Sequence, residues 1–235
     1  MQPQMTQAMG YDRTSTMFSP DGRLLQVEYA RKTVRQGTPT IGIVCKDGVL
    51  LVADKRITER LIVSKSIEKV FQIDEHIAAV ATGIVSDGRV LIERAQLLAQ
   101  QHRVTYDEPI DTKSLVKEIC NIKQAYTQYG GARPFGVSIL FGGVDDNPRL
   151  FVTDPTGIFF EFKATVVGEY EEEIKEILNK EYKENMSVQD GLRLAIKALK
   201  KVLGKQFDIE RVCGACVGLD KKFRYLSRGE INKAK

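Results

Sequence analysis

Apolar and polar positions alternate with period two over Ile41, Ile43 and Cys45, with Gly42 and Val44 between them, and the alternation resumes from Val49 towards Asp54. Asp47 and Gly48 stand between the two runs as a tight-turn signal, so this stretch predicts a β-hairpin. Ahead of it the period becomes helical. Leu24, Val27, Ala30 or Arg31, and Val34 fall on one stripe, behind a Ser19 N-cap with Pro20 at the first helical position. Arg31, Lys32 and Arg35 suit the negative end of a helix dipole, and Gly37 stands just past that end. These signals predict a helix over roughly residues 20–36.

Two further strands read from residues 69–73 and 77–81, joined around Asp74, Glu75 and His76. A helix capped near Ser86 follows, with Leu91, Ala95 and Leu98 on one face. A second starts near Asp111 and places Leu115, Ile119, Ile122 and Tyr126 at helical spacing, ending at Gly130 and Gly131. Strands resume over 136–142, 149–153 and 158–164, with turns at Asp145 and Asp154. Helices over 171–182 and 188–203 come next, the latter capped by Ser187 with Asp190 three residues on. Strands near 211–219 and 223–226 close the chain. Helix pairs alternate with antiparallel hairpins, and no internal repeat or low-complexity linker is visible. The pattern predicts one domain of α+β class, with sheets packed on each other and covered by helix pairs.

At 235 residues the chain is long enough to bury a large core, and 43% hydrophobic with 28% charged residues is ordinary for a soluble globular protein. The net charge of +4 is too weak and too dispersed to argue for a nucleic-acid partner, and none is expected. The opening MQPQMTQAMGYDR has no basic region followed by an apolar core, and the longest mostly apolar run, 76–85, is far too short for a membrane span. The expectation is a cytoplasmic protein with no membrane partner.

Candidate metal and cofactor chemistry thins out under the same reading. Cys213 and Cys216 have CxxC spacing but lie in a strand-like run, where residues three apart face opposite ways, so they read as small buried residues. His76 and His102 stand alone. Glu169 with Glu171, Glu172 and Glu173 resembles a metal cluster, yet at a helix start these acids complement the dipole. No phosphate loop, dinucleotide fingerprint or nucleophile elbow is present, and no cofactor is expected.

Thr38 remains. It directly follows Gly37 at the mouth of the hairpin, with Asp54 at the hairpin's far end. A threonine released at such a junction can act as nucleophile with its own α-amine as base. In the intact chain that nitrogen is an amide and has no basic lone pair. The residues before it hold a capped amphipathic helix rather than a disposable segment, so Thr38 reads as a loop residue. The alternative is an autoprocessed threonine peptidase with Thr38 as nucleophile.

The stretch YDRTSTMFSPDGRLLQVEYARKTVRQGTPTIGI, residues 11–43, resembles the N-terminal region of proteasome α-type subunits, most of all the archaeal ones. The likeness continues through ADKR at 53–56, SIEKVFQID at 66–74, YDEPI at 106–110, IKQAYTQYGGARPFGVSIL at 122–140, TDPTG at 153–157 and FKATVVG at 162–168. It implies the N-terminal nucleophile hydrolase fold, a four-layer αββα sandwich of two antiparallel sheets between helix pairs. It also implies a non-catalytic member of the threonine-peptidase family. Catalytic β-type members release a threonine at a Gly-Thr junction like Gly37-Thr38, and Asp54 and Lys69 fall where those members carry charged groups. Their Gly-Ser-Gly-Ser stretch has no match here, and the α-type pattern keeps a helix over the cleft.

By the same resemblance the chain forms a heptameric α ring that caps rings of β-type subunits, and unfolded polypeptide passes through its pore. Residues 1–13 would be a mobile gate ahead of a single domain over 14–235, with Tyr11, Asp12, Arg13, Pro20 and Tyr29 matching the gate cluster. Lys69 matches the lysine that takes the C-terminal carboxylate of a regulatory AAA+ ATPase tail, in a pocket between neighbouring subunits lined by Arg31, Gly83 and Ile84. Tyr129, Gly130, Gly131 and Ala132 match the loop that narrows the pore. Thr33, Ser86 and Glu169 depart from residues usual in the family.

Overall fold

The computed structural model describes residues 10–56, 61–63 and 66–234. Its strands form two five-stranded sheets, antiparallel at every pairing. In the first, the hairpin of β1 (Thr40–Cys45) and β2 (Gly48–Asp54) is flanked by β8 (Ala164–Val167) on one side. On the other side lie β9 (Val212–Gly218) and β10 (Phe223–Tyr225). The second sheet runs in chain order through β3 (Val70–Asp74), β4 (Ile77–Gly83), β5 (Val137–Val144), β6 (Pro148–Thr153) and β7 (Phe159–Glu161). Helices α2 (Val85–Tyr106) and α3 (Thr112–Tyr126) cover the second sheet. Helices α4 (Glu171–Glu181), α5 (Val188–Leu203) and the short α6 (Arg228–Lys233) cover the first. Helix α1 (Leu25–Arg35) lies against β4 and β5.

The alternation read in β2 explains the layering. Val49, Leu51 and Ala53 point between the sheets, where they meet Val80, Leu140, Leu150, Ala215 and Val217. Leu50 and Val52 point the other way, into Leu192, Ala195, Ile196 and Leu199 of α5. The second sheet does the same with Ile77, Ile139 and Phe141 against Leu91, Ala95, Leu115 and Ile119. Every residue of β2 is buried, as a strand covered on both faces must be. No helix among the described residues is long and apolar enough to cross a membrane.

Several expected boundaries move, each for a local reason. The first helix starts at Leu25, not near residue 20, because Gly22 adopts φ +74° and breaks the turn. Ser19 still caps, but it closes that earlier turn: its Oγ accepts from Arg23 N at 3.2 Å and its carbonyl from Gly22 N at 2.8 Å. The strand expected over 158–164 is two strands in different sheets. Phe162 N donates to Leu150 O of β6, while Lys163 O accepts from Val44 N of β1, so the chain changes sheets between those two residues. Helix α3 stops at Tyr126, before the double glycine. Its buried stripe runs Leu115, Val116, Ile119, Cys120 and Lys123, with Tyr126 exposed, a rotation away from Ile122 and Tyr126. Helix α6 went unread, although Ser227 and Glu230 form a capping box. Cys213 and Cys216 do face opposite ways: Cys216 packs under α5 and α6, and Cys213 packs between the sheets.

Candidate functional site

Thr38 sits in the short connection between α1 and β1. Its hydroxyl donates to the carbonyl of Asp54, the last residue of β2, at 2.7 Å. Lys69, just before β3, donates from Nζ to Thr38 O at 2.9 Å, to Asp54 O at 3.1 Å and to the Thr38 hydroxyl. Asp54 ends a strand of the first sheet, Thr38 leads into that sheet and Lys69 leads into the second, so the amine bridges the sandwich at its mouth. Burial lowers the pKa of Lys69 to about 8.

The acid beside Thr38 is committed elsewhere. The Asp54 carboxylate is buried and takes both forks of Arg211, with Nε to Oδ1 at 2.9 Å. The Gly37 peptide is tied on both sides: Gly37 N donates to Val34 O at 3.0 Å, and Gly37 O accepts from Glu169 N at 2.8 Å. Arg56 pairs with the Glu169 side chain at 2.5 Å.

Above Thr38 opens a cavity of about 260 Å³, lined by Thr38, Lys69, Gly83 and Ile84 and rimmed by Lys55, Arg56 and Arg89. Glu68 also lines it, but cations predominate, and a carboxylate-sized anion suits the hollow chemically. Three of the four expected pocket residues, Lys69, Gly83 and Ile84, therefore come together within one chain. Arg31 does not join them. It grips Asp154, with Nε to Oδ2 at 3.0 Å and Nη2 to Oδ1 at 3.1 Å, beside a separate hollow that also contains Arg35.

Of the expected gate, residues 1–9 lie outside the described residues. Asp12 is held by α1: its carbonyl accepts from Gln26 Nε2 at 2.5 Å, and its carboxylate from the Tyr29 hydroxyl at 3.5 Å. Arg13 N donates to Gly10 O at 3.1 Å. Tyr11 is half-buried and Pro20 is exposed. Tyr129, Gly130 and Gly131 are exposed beyond α3, and Ala132 N closes the turn onto Tyr129 O at 3.4 Å. A hollow of about 380 Å³ between the two segments is lined by Arg13, Ser15 and Gln26 on one side and Gly130, Gly131 and Ala132 on the other. The fold thus brings residues 13–15 and the loop at 130–132 side by side.

Residues 34–213 match the family model of the proteasome subunit, and residues 11–32 match that of the N-terminal signature of A-type proteasome subunits. The chain belongs to the proteasome α-type subunits. The proteasome alpha subunit of Methanosarcina acetivorans is 51% identical over 229 residues, covering 97% of this chain and 93% of that one. That of Methanocaldococcus jannaschii is 56% identical over 199 residues, 84% of this chain and 76% of its own. That of Pyrococcus horikoshii is 50% identical over 225 residues, 95% and 86% respectively. Within this proteasome chain the N-terminal signature spans Asp12, Gln26 and Tyr29, whose hydrogen bonds fasten the segment around Asp12 to α1.

Two features of the proteasome chain escaped the sequence reading. Asp87, in the first turn of α2, accepts from both terminal nitrogens of Arg133 at 2.6 and 2.7 Å and from Gly136 N at 2.8 Å. As an acid near a helix start it carried no signal beyond dipole complement. Lys123 is completely buried and donates to Val137 O at 2.9 Å and to Thr153 Oγ1 at 3.0 Å. Only its place on the apolar side of α3 could have marked it.

Proposed function

We propose that this chain is a structural and gating subunit that does not itself cut peptide bonds. Copies of it form a heptameric outer ring over β-type subunits, and unfolded polypeptide passes through the ring to their chamber in the cytoplasm. Residues 1–13 close the pore, Tyr129, Gly130, Gly131 and Ala132 narrow it, and the Lys69 cavity takes the C-terminal carboxylate of a regulatory ATPase tail. The observation that carries this reading is the state of Thr38. In the intact chain its nitrogen is an amide, Gly37 before it is hydrogen-bonded through both its N–H and its carbonyl, and α1 ahead of it buries Leu25, Val27, Ala30 and Val34. Cutting at Gly37 would free a helix whose apolar face is already packed. The docking site lies between neighbouring copies, and Arg31, which pairs with Asp154 in its own chain, lines it from the adjacent copy.

The competing reading, a released Thr38 acting as nucleophile, draws on the hydrogen bond from Lys69 Nζ to the Thr38 hydroxyl. Native and intact mass measurement of the purified chain, alone and with a β-type partner, decides between the two. Rings of full-length chains near 26.4 kDa, inert toward peptides, support the gating role. A shorter chain beginning at Thr38, with peptide hydrolysis in the absence of β subunits, overturns it.

A further inference from the structure

The cavity rim and the narrowing loop are not independent. Gly83 and Ile84 line the cavity and run directly into α2, whose first turn carries Asp87. Residues 133–136 run from the loop into β5. Between these two segments the backbone contacts leave no slack. Ile84 N donates to Gly136 O at 2.9 Å, and Gly136 N donates to Asp87 Oδ2 at 2.8 Å. Gly83 has φ +124°, and a Cβ on it would fall 2.2 Å from Gly136 O; one on Gly136 would fall 2.6 Å from Ile84 Cδ1. Thr33 of α1 also reaches this point, with Oγ1 3.0 Å from Gly136 O.

Asp87 closes the connection on the loop side. Its carboxylate is 8% exposed, and Arg133, 58% exposed, grips it through two parallel hydrogen bonds. Burial alone would raise the Asp87 pKa, but the hydrogen bonds from Arg133 and Gly136 N hold its carboxyl below the usual range. Arg133 also bonds Pro134 O at 3.1 Å, so its fork fixes the segment one residue beyond Ala132. A shift of Gly83 and Ile84 therefore presses on residues 133–136, and through them on the loop.

We propose that Asp87 and Arg133 are positioning residues that couple occupancy of the Lys69 cavity to the placement of residues 129–132. An anionic C-terminal segment seated on Lys69 displaces Gly83 and Ile84. Gly136 and the Asp87 pair carry that displacement to the loop. Coupling of this kind rests on the cavity and loop roles given above, and it adds the residues that join them. Steric contact and a bidentate ion pair onto a buried carboxylate join the two segments, rather than spatial proximity.

The test uses particles assembled from full-length chains and a β-type partner, carrying Arg133→Gln, Asp87→Asn or Arg133→Lys. The probe is a short synthetic peptide copying the C-terminus of an archaeal regulatory ATPase, with its C-terminal amide as control. Binding is read by fluorescence anisotropy, and stimulation as the ratio of peptide hydrolysis with and without the probe. In R133Q and D87N the peptide still binds saturably, with an affinity within a few-fold of wild type, while the stimulation ratio falls by about fivefold or more. R133K keeps one charged donor and retains part of the ratio, and it serves where R133Q fails to assemble. A purely structural role would lower particle yield or affinity without separating binding from stimulation. Wild-type stimulation in the variants overturns the coupling alone. Absence of saturable binding to wild-type particles, or equal binding of the amide, overturns the cavity reading as well.

Discussion

Lys69 Nζ lies 2.9 Å from the carbonyl oxygen of Thr38, and the same ammonium reaches the Thr38 hydroxyl and the carbonyl of Asp54. Three neutral acceptors hold a charge at the cavity wall without neutralising it. An anion can therefore exchange for one of them and gain a charge-assisted bond. Replacing Lys69 by Ala is expected to leave ring assembly intact and to weaken binding of a carboxylate-ended tail by roughly tenfold or more, the scale of one charge-assisted hydrogen bond. ATPase stimulation of hydrolysis should disappear with it. Native mass spectrometry reads the ring, and unchanged stimulation would remove Lys69 from the docking site.

The depressed pKa of Lys69 gives the same site a pH signature. Burial holds the ammonium at about 8, so it carries its charge below that pH and loses it above. Tail affinity should fall as pH rises through about 8, and the fall should vanish in Lys69→Ala. Peptide anisotropy across this range measures it. A flat wild-type profile would show that the ammonium is not the anion's partner.

Lys123 makes a stability prediction of the opposite slope. It is fully buried, and burial brings its pKa down to about 8, whereas an unfolded lysine titrates near 10.4. Between those values the unfolded chain binds more protons, so stability rises with pH; below about 8 both states are charged and the contribution is constant. The difference in stability between wild type and Lys123→Met should shift in favour of wild type by on the order of 3 kcal/mol across that window. Denaturant midpoints at several pH values test this, and parallel curves for the two proteins would refute it.

Asp12 is fastened to α1 through Gln26 and Tyr29, which makes it the root of the preceding tail. Deleting residues up to and including Asp12 removes the tail and its root together, while no residue of the sandwich core is lost. Basal hydrolysis of short peptides by the assembled particle should rise several-fold without any activator. A basal rate equal to wild type would separate this segment from the pore.

The sequence made the local pieces readable and left their meetings hidden. Alternation marked the β1–β2 hairpin, and the Asp111 and Ser187 caps marked α3 and α5, because those signals are carried by neighbours in the chain. The split of residues 158–164 was invisible, since period-two alternation says nothing about which sheet supplies the next partner. Ser19 and Pro20 gave a sound capping signal that Gly22 overruled one turn later. At the site, Lys69 was nominated by family likeness, but its three acceptors come from two other strands' ends and have no local signature. The Asp87 and Arg133 pair joins a helix start to a distant loop, and neither residue type is unusual where it stands.

The crossing between Phe162 and Lys163 also orders events in time. The second sheet is a meander in strand order: its β3–β4 and β5–β6–β7 pairings are local and close quickly, while β4 pairs with β5 across α2 and α3, as far as Ile77 with Gly143. The first sheet must pair Thr40 with Val167 and Asp54 with Val212, across the whole of the other sheet's sequence. Its loops close slowly, and they close onto a surface the meander has already built. A nascent chain released before β8 would expose Leu50 and Val52 on the outer face of β2, whose cover of α5 is not yet made, so the sticky interval in this protein's life lies between synthesis of the meander and arrival of the last helices and strands.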